Sequence, residues 1–305
     1  MLKYIILVAL GAISYGTLTS FAKIAYGQGY SAGEITFVQA LLGAMILWSL
    51  AILRNIRKKQ KLKLNWRLVL AGTSMGFSAY CFYYSVKFIP VALAIVLLMQ
   101  VSWIGIIGEW LIFKKKPSRL EIATSVIIII GTVLAGNLMH IQSMNFSMTG
   151  IALATGAAFL YTIYVLSTSK LGNDTPMLEK SALMTTGSAL MILLINFPSI
   201  TASTHLDFGL LRWGTFLAVF GTVIPPICFT TGMPKIGPGL STILLTLELP
   251  AVVLCAYLIL GEKVTVVQII GIIIMISAII YLNIVKNKRE KSKDKLTEKQ
   301  LLSGS

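Results

Sequence analysis

The sequence predicts an all-α integral membrane protein with ten transmembrane helices, arranged as two inverted five-helix repeats. Three observations predict this fold class: ten apolar segments of membrane-spanning length, a weak copy of the first half in the second, and basic residues concentrated in alternate connectors. We place the repeats at residues 1–138 and 139–285. A basic tail at 286–305 follows, which we expect to be disordered and cytoplasmic.

The ten apolar segments each contain about 20 residues, the length that an α-helix needs to cross a bilayer. They lie at residues 3–23, 33–53, 67–86, 91–113, 118–138, 149–169, 178–197, 210–231, 238–260 and 264–285. A hydrophobic fraction of 56% and a mean hydropathy of +0.83 exclude an ordinary soluble domain. Because nearly every residue up to 285 belongs to a span or a short connector, the chain has no room for a soluble catalytic domain.

The duplication is clearest around the third and fourth spans and their counterparts, the eighth and ninth. At an offset of 148 residues, Lys87 matches Lys235 and Pro90 matches Pro238, so both halves carry a Lys-x-x-Pro turn at the same place. A unit of five helices crosses the membrane an odd number of times, so its copy must enter from the other side. Inverted repeats are typical of alternating-access carriers, which hold their substrate near the midplane between the halves.

The formal net charge of +15 has a distribution that predicts the topology. If the N-terminus is cytoplasmic, 22 of the 26 Lys and Arg residues fall on the cytoplasmic side. This positive-inside bias predicts a multi-pass protein of the cell inner membrane with both termini in the cytoplasm. We therefore expect the lipid bilayer and a small-molecule substrate as partners, and no nucleic acid, because nucleic-acid binding requires a folded basic face.

The sequence lacks the usual signals of catalysis and metal binding. The cysteines Cys81, Cys228 and Cys255 lie in apolar spans without metal-ligand spacing, and both histidines, His140 and His205, fall in predicted outer loops. The motifs GxxxxGK and HExxH are missing, and the one GxSxG match, at residues 72–76, lies inside an apolar predicted span instead of at a strand-to-helix turn. We therefore predict no catalytic residues, no metal site and no cofactor.

The segment from Ile236 to Tyr281 contains a recognisable series of short motifs. They are Gly237-Pro238, Leu247-Glu248-Leu249-Pro250, Gly261-Glu262-Lys263, Gln268 and Gly271. The series resembles the second repeat of EamA-type transporters in the drug/metabolite transporter superfamily, and residues 88–131 echo it in the first half. The resemblance implies a central cavity lined by spans 1, 3, 4, 6, 8 and 9, with spans 5 and 10 peripheral. It also implies transport of amino acids, their derivatives or other small polar metabolites, commonly outward.

Glu248 is the most informative single residue, because it lies 11 residues into the ninth span, near the membrane midplane. A charged carboxylate at that depth costs about 2.5–3.5 kcal/mol, so it should face a wet cavity, pair with a partner or be protonated. The repeat offset places it opposite Gln100 of the fourth span, which suggests a shared binding site. Glu248 then binds a substrate amine or carries a coupled proton. The alternative is a structural glutamate that stabilises a helix broken near Pro250.

Helical spacing identifies further side chains on the faces that carry Gln100 and Glu248, and on neighbouring spans. These candidates are Ser241 on the ninth span, Trp103 on the fourth, Tyr80 and Tyr83 on the third, and Tyr161 and Tyr164 on the sixth. A tyrosine combines a broad apolar face with one hydroxyl, which suits recognition of an amphipathic solute. The alternative for the tyrosines is helix packing or an aromatic belt at the membrane interface.

Together these features predict a secondary transporter, most simply an exporter, of small metabolites such as amino acids or their derivatives. It would work by alternating access around a midplane cavity, with proton coupling at Glu248 left open. Two other classes also stay open. A non-transporting membrane partner or regulatory protein would not need Gln100 and Glu248, and a membrane-embedded enzyme would need a cluster of His, Asp or Cys at one depth.

Overall fold

The structure is a computed structural model that describes residues 1–137, 147–201 and 207–303; the predicted loop histidines His140 and His205 lie outside these ranges. All regular elements in the described ranges are helical, which confirms the predicted all-α class. The helices are α1 (Leu2–Gly27), α2 (Ala32–Lys58), α3 (Trp66–Ser85), α4 (Val91–Leu98), α5 (Val101–Phe113), α6 (Arg119–Ala135), α7 (Met148–Lys170), α8 (Met177–Thr201), α9 (Phe208–Leu217), α10 (Ile224–Ile236), α11 (Pro238–Leu245), α12 (Glu248–Leu260) and α13 (Val266–Ser303). A π-helical segment, Ala218–Val223, joins α9 to α10.

Eight helical stretches in the described ranges are long and apolar enough to cross a membrane, where the sequence predicts ten spans. The third and fifth predicted spans, α3 and α6, are the two that fall short. The 17 residues of α6 extend about 26 Å, somewhat less than the hydrocarbon core of a typical bilayer. The 20 residues of α3 are long enough, but serine and threonine dilute their apolar content. Ten crossings therefore stay a prediction.

The fourth and ninth predicted spans are each broken into two helices at the same place. In both, a helix of 8 residues is followed by a two-residue turn and a helix of 13 residues. The longer helix then ends at a residue with positive φ, Lys114 in the first half and Gly261 in the second. The repeat that the sequence indicates thus extends to local backbone geometry, including the left-handed residue that turns the chain into its next connector.

The two breaks have different causes. In the second half, Pro250 has no amide hydrogen and cannot donate to the carbonyl of Thr246 four residues earlier, so a continuous helix is impossible there. In the first half, no proline is present, and the Gln100 side chain replaces the missing bond by donating to the Val96 carbonyl at 3.0 Å. A side chain that satisfies the freed carbonyl stabilises the break inside the apolar layer.

The helices of the two halves interlock instead of forming separate bundles. Most principal contacts between the halves have a counterpart in which the two halves change places. The contact of α1 with α10 corresponds to that of α7 with α3, and the contact of α1 with α12 corresponds to that of α7 with α4–α5. The contact of α2 with the α9–π segment corresponds to that of α8 with α3. Three further contacts, α2 with α8, α6 with α13 and α5 with α11, join equivalent spans of the two halves. The space between the halves is consequently walled by helices from both.

The last helix, α13, extends to Ser303, whereas we expected the tail from residue 286 onward to be disordered. The expectation rested on charge alone. Between residues 286 and 303 the chain contains no Gly or Pro, and most of its residues are Lys, Leu, Glu, Arg or Gln, which are good helix formers. Because the preceding membrane helix already supplies a nucleus, continuation costs little.

Candidate functional site

A cavity of about 170 Å³ lies between the two halves of the molecule. We call the side that holds the α1–α2 connector (residues 28–31) the upper side, and the side that holds the α2–α3 connector (residues 59–65) the lower side. The cavity walls come from the upper parts of α1, α2, α3, α8 and the α9–π segment, with α4, α7 and α12 near the middle. The second and seventh spans, α2 and α8, thus join the spans that the family resemblance implies, while α6 and α13 contribute nothing to the lining.

Glu248 provides the one carboxylate among the described residues that line this cavity. It is the first residue of α12, where the partial positive charge of a helix N-terminus favours an anion. None of the described basic side chains forms an ion pair with it. Helix α1 passes close by at Gly16, where an added Cβ would lie 2.5 Å from the Glu248 carbonyl oxygen. Glycine is therefore required for α1 to pack against the break.

Three tyrosines line the same cavity as Glu248: Tyr15 from α1, Tyr83 from α3 and Tyr161 from α7. The Tyr161 side chain is only 2% exposed, and its hydroxyl has no hydrogen-bond partner in the described part of the chain. A buried hydroxyl left unpaired costs about 1–3 kcal/mol. A polar solute that reached Tyr161 would remove this cost, so the arrangement is suited to a ligand.

The rest of the cavity offers further polar groups. Thr19, Gln39, Ser188 and Thr222 line it, and their side chains make no hydrogen bond to other described residues. The Gln39 amide nitrogen would lie 2.6 Å from a Cβ added at Gly221, so this glycine makes room for the amide. Gly221 and Thr222 both belong to the π-helical segment, a distortion that often marks functional sites.

Three of the eight predicted site residues, Tyr83, Tyr161 and Glu248, line the cavity. Tyr80 lies beside it in a smaller pocket of about 50 Å³ that shares Tyr83 as a wall. The Tyr80 ring stacks on Tyr84, with ring centroids 5.6 Å apart. The structure therefore places Tyr80 next to the cavity but not in its lining.

Gln100 and Trp103, which we expected to share a site with Glu248, are bonded to each other outside the cavity lining. The Trp103 indole nitrogen donates to the Gln100 side-chain oxygen at 2.8 Å, and the amide nitrogen of Gln100 is occupied by the Val96 carbonyl. Both polar ends of Gln100 are thus used within the first half. Equivalence in the repeat does not place Gln100 and Glu248 in one cavity in this conformation.

The remaining candidates, Tyr164 and Ser241, are buried below the cavity. Tyr164 is 3% exposed, and its ring centroid lies 6.4 Å from that of Tyr161. The Ser241 hydroxyl is fully buried and donates to the Gly237 carbonyl at 2.7 Å. We had placed Ser241 on one continuous helical face with Glu248, but the break between α11 and α12 separates them.

The side chains of α1 and α2 that line the cavity are not among the predicted site residues. Tyr15, Thr19 and Tyr26 are spaced by four and seven residues, so they form one stripe on α1 that faces the cavity. That spacing was a usable signal, the same kind that identified the tyrosines of the sixth span. Gln39 is a single amide in an apolar span, and only the neighbouring Gly221 from the other half shows that it faces a cavity.

The upper rim is held together by polar contacts between the halves. The Tyr30 hydroxyl donates to the Asp207 carboxylate at 2.8 Å, and this hydrogen bond raises the pKa of Tyr30 above its usual value. The Trp213 indole nitrogen donates to the Gln28 side chain at 2.7 Å. These contacts tie the α1–α2 connector to the start of α9 on the upper side.

Comparisons with known proteins agree with this arrangement. The profile of the EamA-like transporter family matches residues 2–137 and again residues 148–284, so each half matches separately. The threonine/homoserine exporter RhtA of Escherichia coli (strain K12) is 24% identical over 302 residues, covering 95% of this chain and 94% of that one. RhtA of Salmonella typhimurium (strain LT2) is 24% identical over 286 residues, covering 90% and 88%. One solved crystal structure has the same fold, with a TM-score of 0.73 at 12% identity over 90% of this chain and 98% of that one.

Proposed function

The chain belongs to the EamA-like transporter family, and on that premise we propose that it exports a small amine-bearing metabolite, such as an amino acid or a derivative of one. The observation that carries this proposal is Glu248, a carboxylate at a helix break that faces a cavity instead of a basic partner. An ammonium group is the natural counterpart of such a carboxylate.

We propose a topology of ten crossings in two inverted repeats, with both termini in the cytoplasm of a cell with an inner membrane. The exchange-related contacts of the two halves and the identical breaks in the fourth and ninth spans support the repeat. The odd number of crossings in each half supports its inversion. The 22 basic residues on one side support the assignment of the lower side to the cytoplasm and the upper side to the exterior.

The dimensions and polarity of the cavity favour a small substrate. Its volume of about 170 Å³ is below the range of about 300–1,000 Å³ that is typical of sites for drug-sized ligands. Tyrosine and aliphatic side chains form its apolar surface, while Thr19, Gln39 and Ser188 offer hydroxyl and amide groups. The relatives whose names state threonine and homoserine transport make these two amino acids the first solutes to test.

We infer that the transport route is closed on the lower side in this conformation. There the buried Glu179 carboxylate accepts hydrogen bonds from the Asn55 side chain and the Lys63 backbone, each at 2.7 Å, and lies 3.8 Å from Arg54. These contacts hold the start of α8 against the end of α2. Because the cavity occupies the upper half, we interpret the conformation as the one that follows movement of substrate toward the exterior.

Two roles for Glu248 fit its position: it binds the substrate amine directly, or it carries a proton that moves against the substrate. We favour direct binding, because Tyr15, Tyr83 and Tyr161 line the same cavity as Glu248, and aromatic faces attract a cationic amine. A proton carrier would not require these aromatic side chains.

Proteoliposomes containing the purified protein test the proposal. Exchange of radiolabelled threonine and homoserine should be measured with and without a pH gradient, for the unmodified protein and for Glu248→Gln. Direct binding predicts that Glu248→Gln loses exchange under both conditions. Proton coupling predicts that it keeps exchange and loses only accumulation driven by the gradient.

Glu109→Gln is the matched control, because Glu109 is also a buried glutamate in a broken span. It is paired with Lys115 at 3.0 Å and accepts a hydrogen bond from the Gly239 backbone, outside the cavity. Transport per folded molecule should fall less in Glu109→Gln than in Glu248→Gln. Normal transport by folded Glu248→Gln would contradict the assignment of the site, and no transport from a broad panel of amines and amino acids would contradict the function.

A further inference from the structure

A buried seam of polar groups lies below the cavity, between α7, α8 and α10. The Ser181 hydroxyl lies 2.8 Å from the Thr230 hydroxyl and 3.2 Å from the Pro226 carbonyl. The Thr168 hydroxyl lies 3.6 Å from the Met184 sulfur. Ser181 and Thr168 are fully buried, and Thr230 is 5% exposed. We call Thr168, Lys180, Ser181, Met184 and Thr230 the lower seam.

The lower seam continues the cavity-facing stripes of the same helices. On α8, Ser181 lies seven residues before Ser188, which lines the cavity, so both occupy one helical face. On α7, Thr168 lies seven residues after Tyr161, another lining residue. The π segment and α10 show the same continuation from the cavity to the lower seam. Thr230 of α10 follows Thr222, a lining residue of the π segment, by eight positions.

Two members of the lower seam are repeat counterparts of cavity residues. Ser181 and Thr36 are each the fifth residue of their helices, α8 and α2, and Thr36 lines the cavity. Thr230 and Phe82 each lie five residues before the lysine of the repeated Lys-x-x-Pro turn, and Phe82 lines the cavity. Ser181 and Thr230 thus occupy positions whose counterparts line the cavity on the upper side.

Lys180 gives the lower seam a positive charge. Its side chain is buried, and its ammonium donates to two neutral acceptors, the Thr168 carbonyl at 2.8 Å and the Asn173 side chain at 2.9 Å. The nearby Asp174 lies 3.9 Å from Lys63 instead and forms no ion pair with Lys180. An ammonium has three donors, so one remains for a further acceptor.

We propose that the lower seam is the cytoplasmic half of the transport path, closed in this structure, and that its Lys180 ammonium receives the carboxylate of an entering amino acid. Opening requires α8 to move away from α7 and α10, which separates Ser181 from Thr230. The substrate then passes upward along the shared helical faces to Glu248. This inference rests on the proposed function, because it assigns the entrance of the same path.

Accessibility of a single cysteine tests the lower seam. In a protein whose native cysteines Cys81, Cys228 and Cys255 are replaced by serine, Ser181→Cys is exposed to a membrane-impermeant thiol reagent in vesicles with the cytoplasmic face outward. The matched control is Ser125→Cys, because Ser125 is 3% exposed and near the lower end of α6, outside the path. We expect labelling of Ser181→Cys at a rate at least about 10-fold above that of the control, an opening preference of about 1.4 kcal/mol.

Substrate protection tests the role of Lys180. Threonine should slow the labelling of Ser181→Cys, whereas threoninol, which lacks the carboxylate, should not. Adding Lys180→Gln should abolish protection by threonine while labelling persists, and Lys180→Arg should restore it. Equal protection by both solutes would overturn the carboxylate role.

The outcomes separate this inference from the proposed function. If Ser181→Cys and Thr230→Cys are both as inert as Ser125→Cys, the lower seam does not open and the inference is overturned, even if the protein transports threonine. Thr230→Cys serves as the second variant should Ser181→Cys not fold. If the seam cysteines are labelled but no solute is transported, the proposed function fails while the opening of the seam stands.

Discussion

The helix breaks at Met99–Gln100 and Thr246–Leu247 share one backbone geometry and differ in what their polar side chains do. At the first break, the Gln100 amide is fully engaged by Val96 and Trp103. At the second break, the Glu248 carboxylate has no ion pair in the described part of the chain and faces the cavity. The same backbone geometry therefore carries a neutral, hydrogen-bonded side chain at the break in the first half. At the break in the second half it carries an acidic side chain that faces the cavity.

The difference shows how a repeat protein can separate structure from function. A break in a membrane helix frees carbonyl groups that must be satisfied, and Gln100 performs this task within its own helix. In the second half Pro250 enforces the break by itself, so the Glu248 side chain is not needed to stabilise it. The first break is therefore expected to contribute to stability, and the second to transport.

The largest expected effect concerns the inversion of the two halves, because each connector is either labelled from outside the cell or not labelled. The connectors after the two breaks, 114–118 and 261–265, should lie on opposite sides of the membrane. In intact cells, an impermeant thiol reagent should label Lys263→Cys and leave Lys116→Cys unlabelled until the cells are opened. Labelling of both positions from outside would contradict the proposal that the two halves are inverted.

Glu248→Gln should reduce threonine exchange about 10- to 100-fold, because it removes a charge-assisted bond worth about 1.5–3 kcal/mol. The thermal stability of the protein should be nearly unchanged, since the carboxylate has no described intramolecular partner to lose. Initial rates in proteoliposomes and a melting curve measure the two effects. A large loss of stability with normal exchange would make Glu248 structural, like Gln100.

Gly16 tests whether α1 must lie against the second break. Gly16→Val places side-chain atoms against the Glu248 carbonyl and the Ala251 side chain, and overpacking of this kind costs about 1–3 kcal/mol. Both the melting temperature and exchange should fall. Gly156→Ala is the matched control, because a Cβ there meets no other group within 4 Å. An equal effect of the two substitutions would show that close packing at the break is not required.

Gln100→Ala should have the smallest effect on transport. It leaves the Trp103 indole nitrogen and the Val96 carbonyl without their partner, which should lower the free energy of unfolding by about 1–3 kcal/mol. Exchange per folded molecule should stay within about twofold of the unmodified protein, a difference of about 0.4 kcal/mol. A selective loss of transport with normal stability would instead place Gln100 in the transport path.

Several features were available from residue order alone because they depend on local chemistry. Apolar segments of about 20 residues predict helices in a membrane, and Pro250 predicts a break wherever its span is placed. The depth of Glu248 in its span likewise follows from counting, and the structure places this residue in the cavity lining. Residue order alone does not show which polar side chains form hydrogen bonds within the protein. Gln100 was therefore assigned to the same site as Glu248.

The amino-acid sequence by itself determined the helical class, the duplicated pattern and the presence of an acid near the middle of the ninth span, because periodicity, length and charge are properties of consecutive residues. Only the tertiary structure decided which polar groups meet. The Tyr15 stripe of α1 lies against α12 because Gly16 permits it, and Gln39 reaches the cavity beside Gly221 of the other half. Such contacts join residues more than 180 positions apart, and their geometry depends on how the two halves interlock.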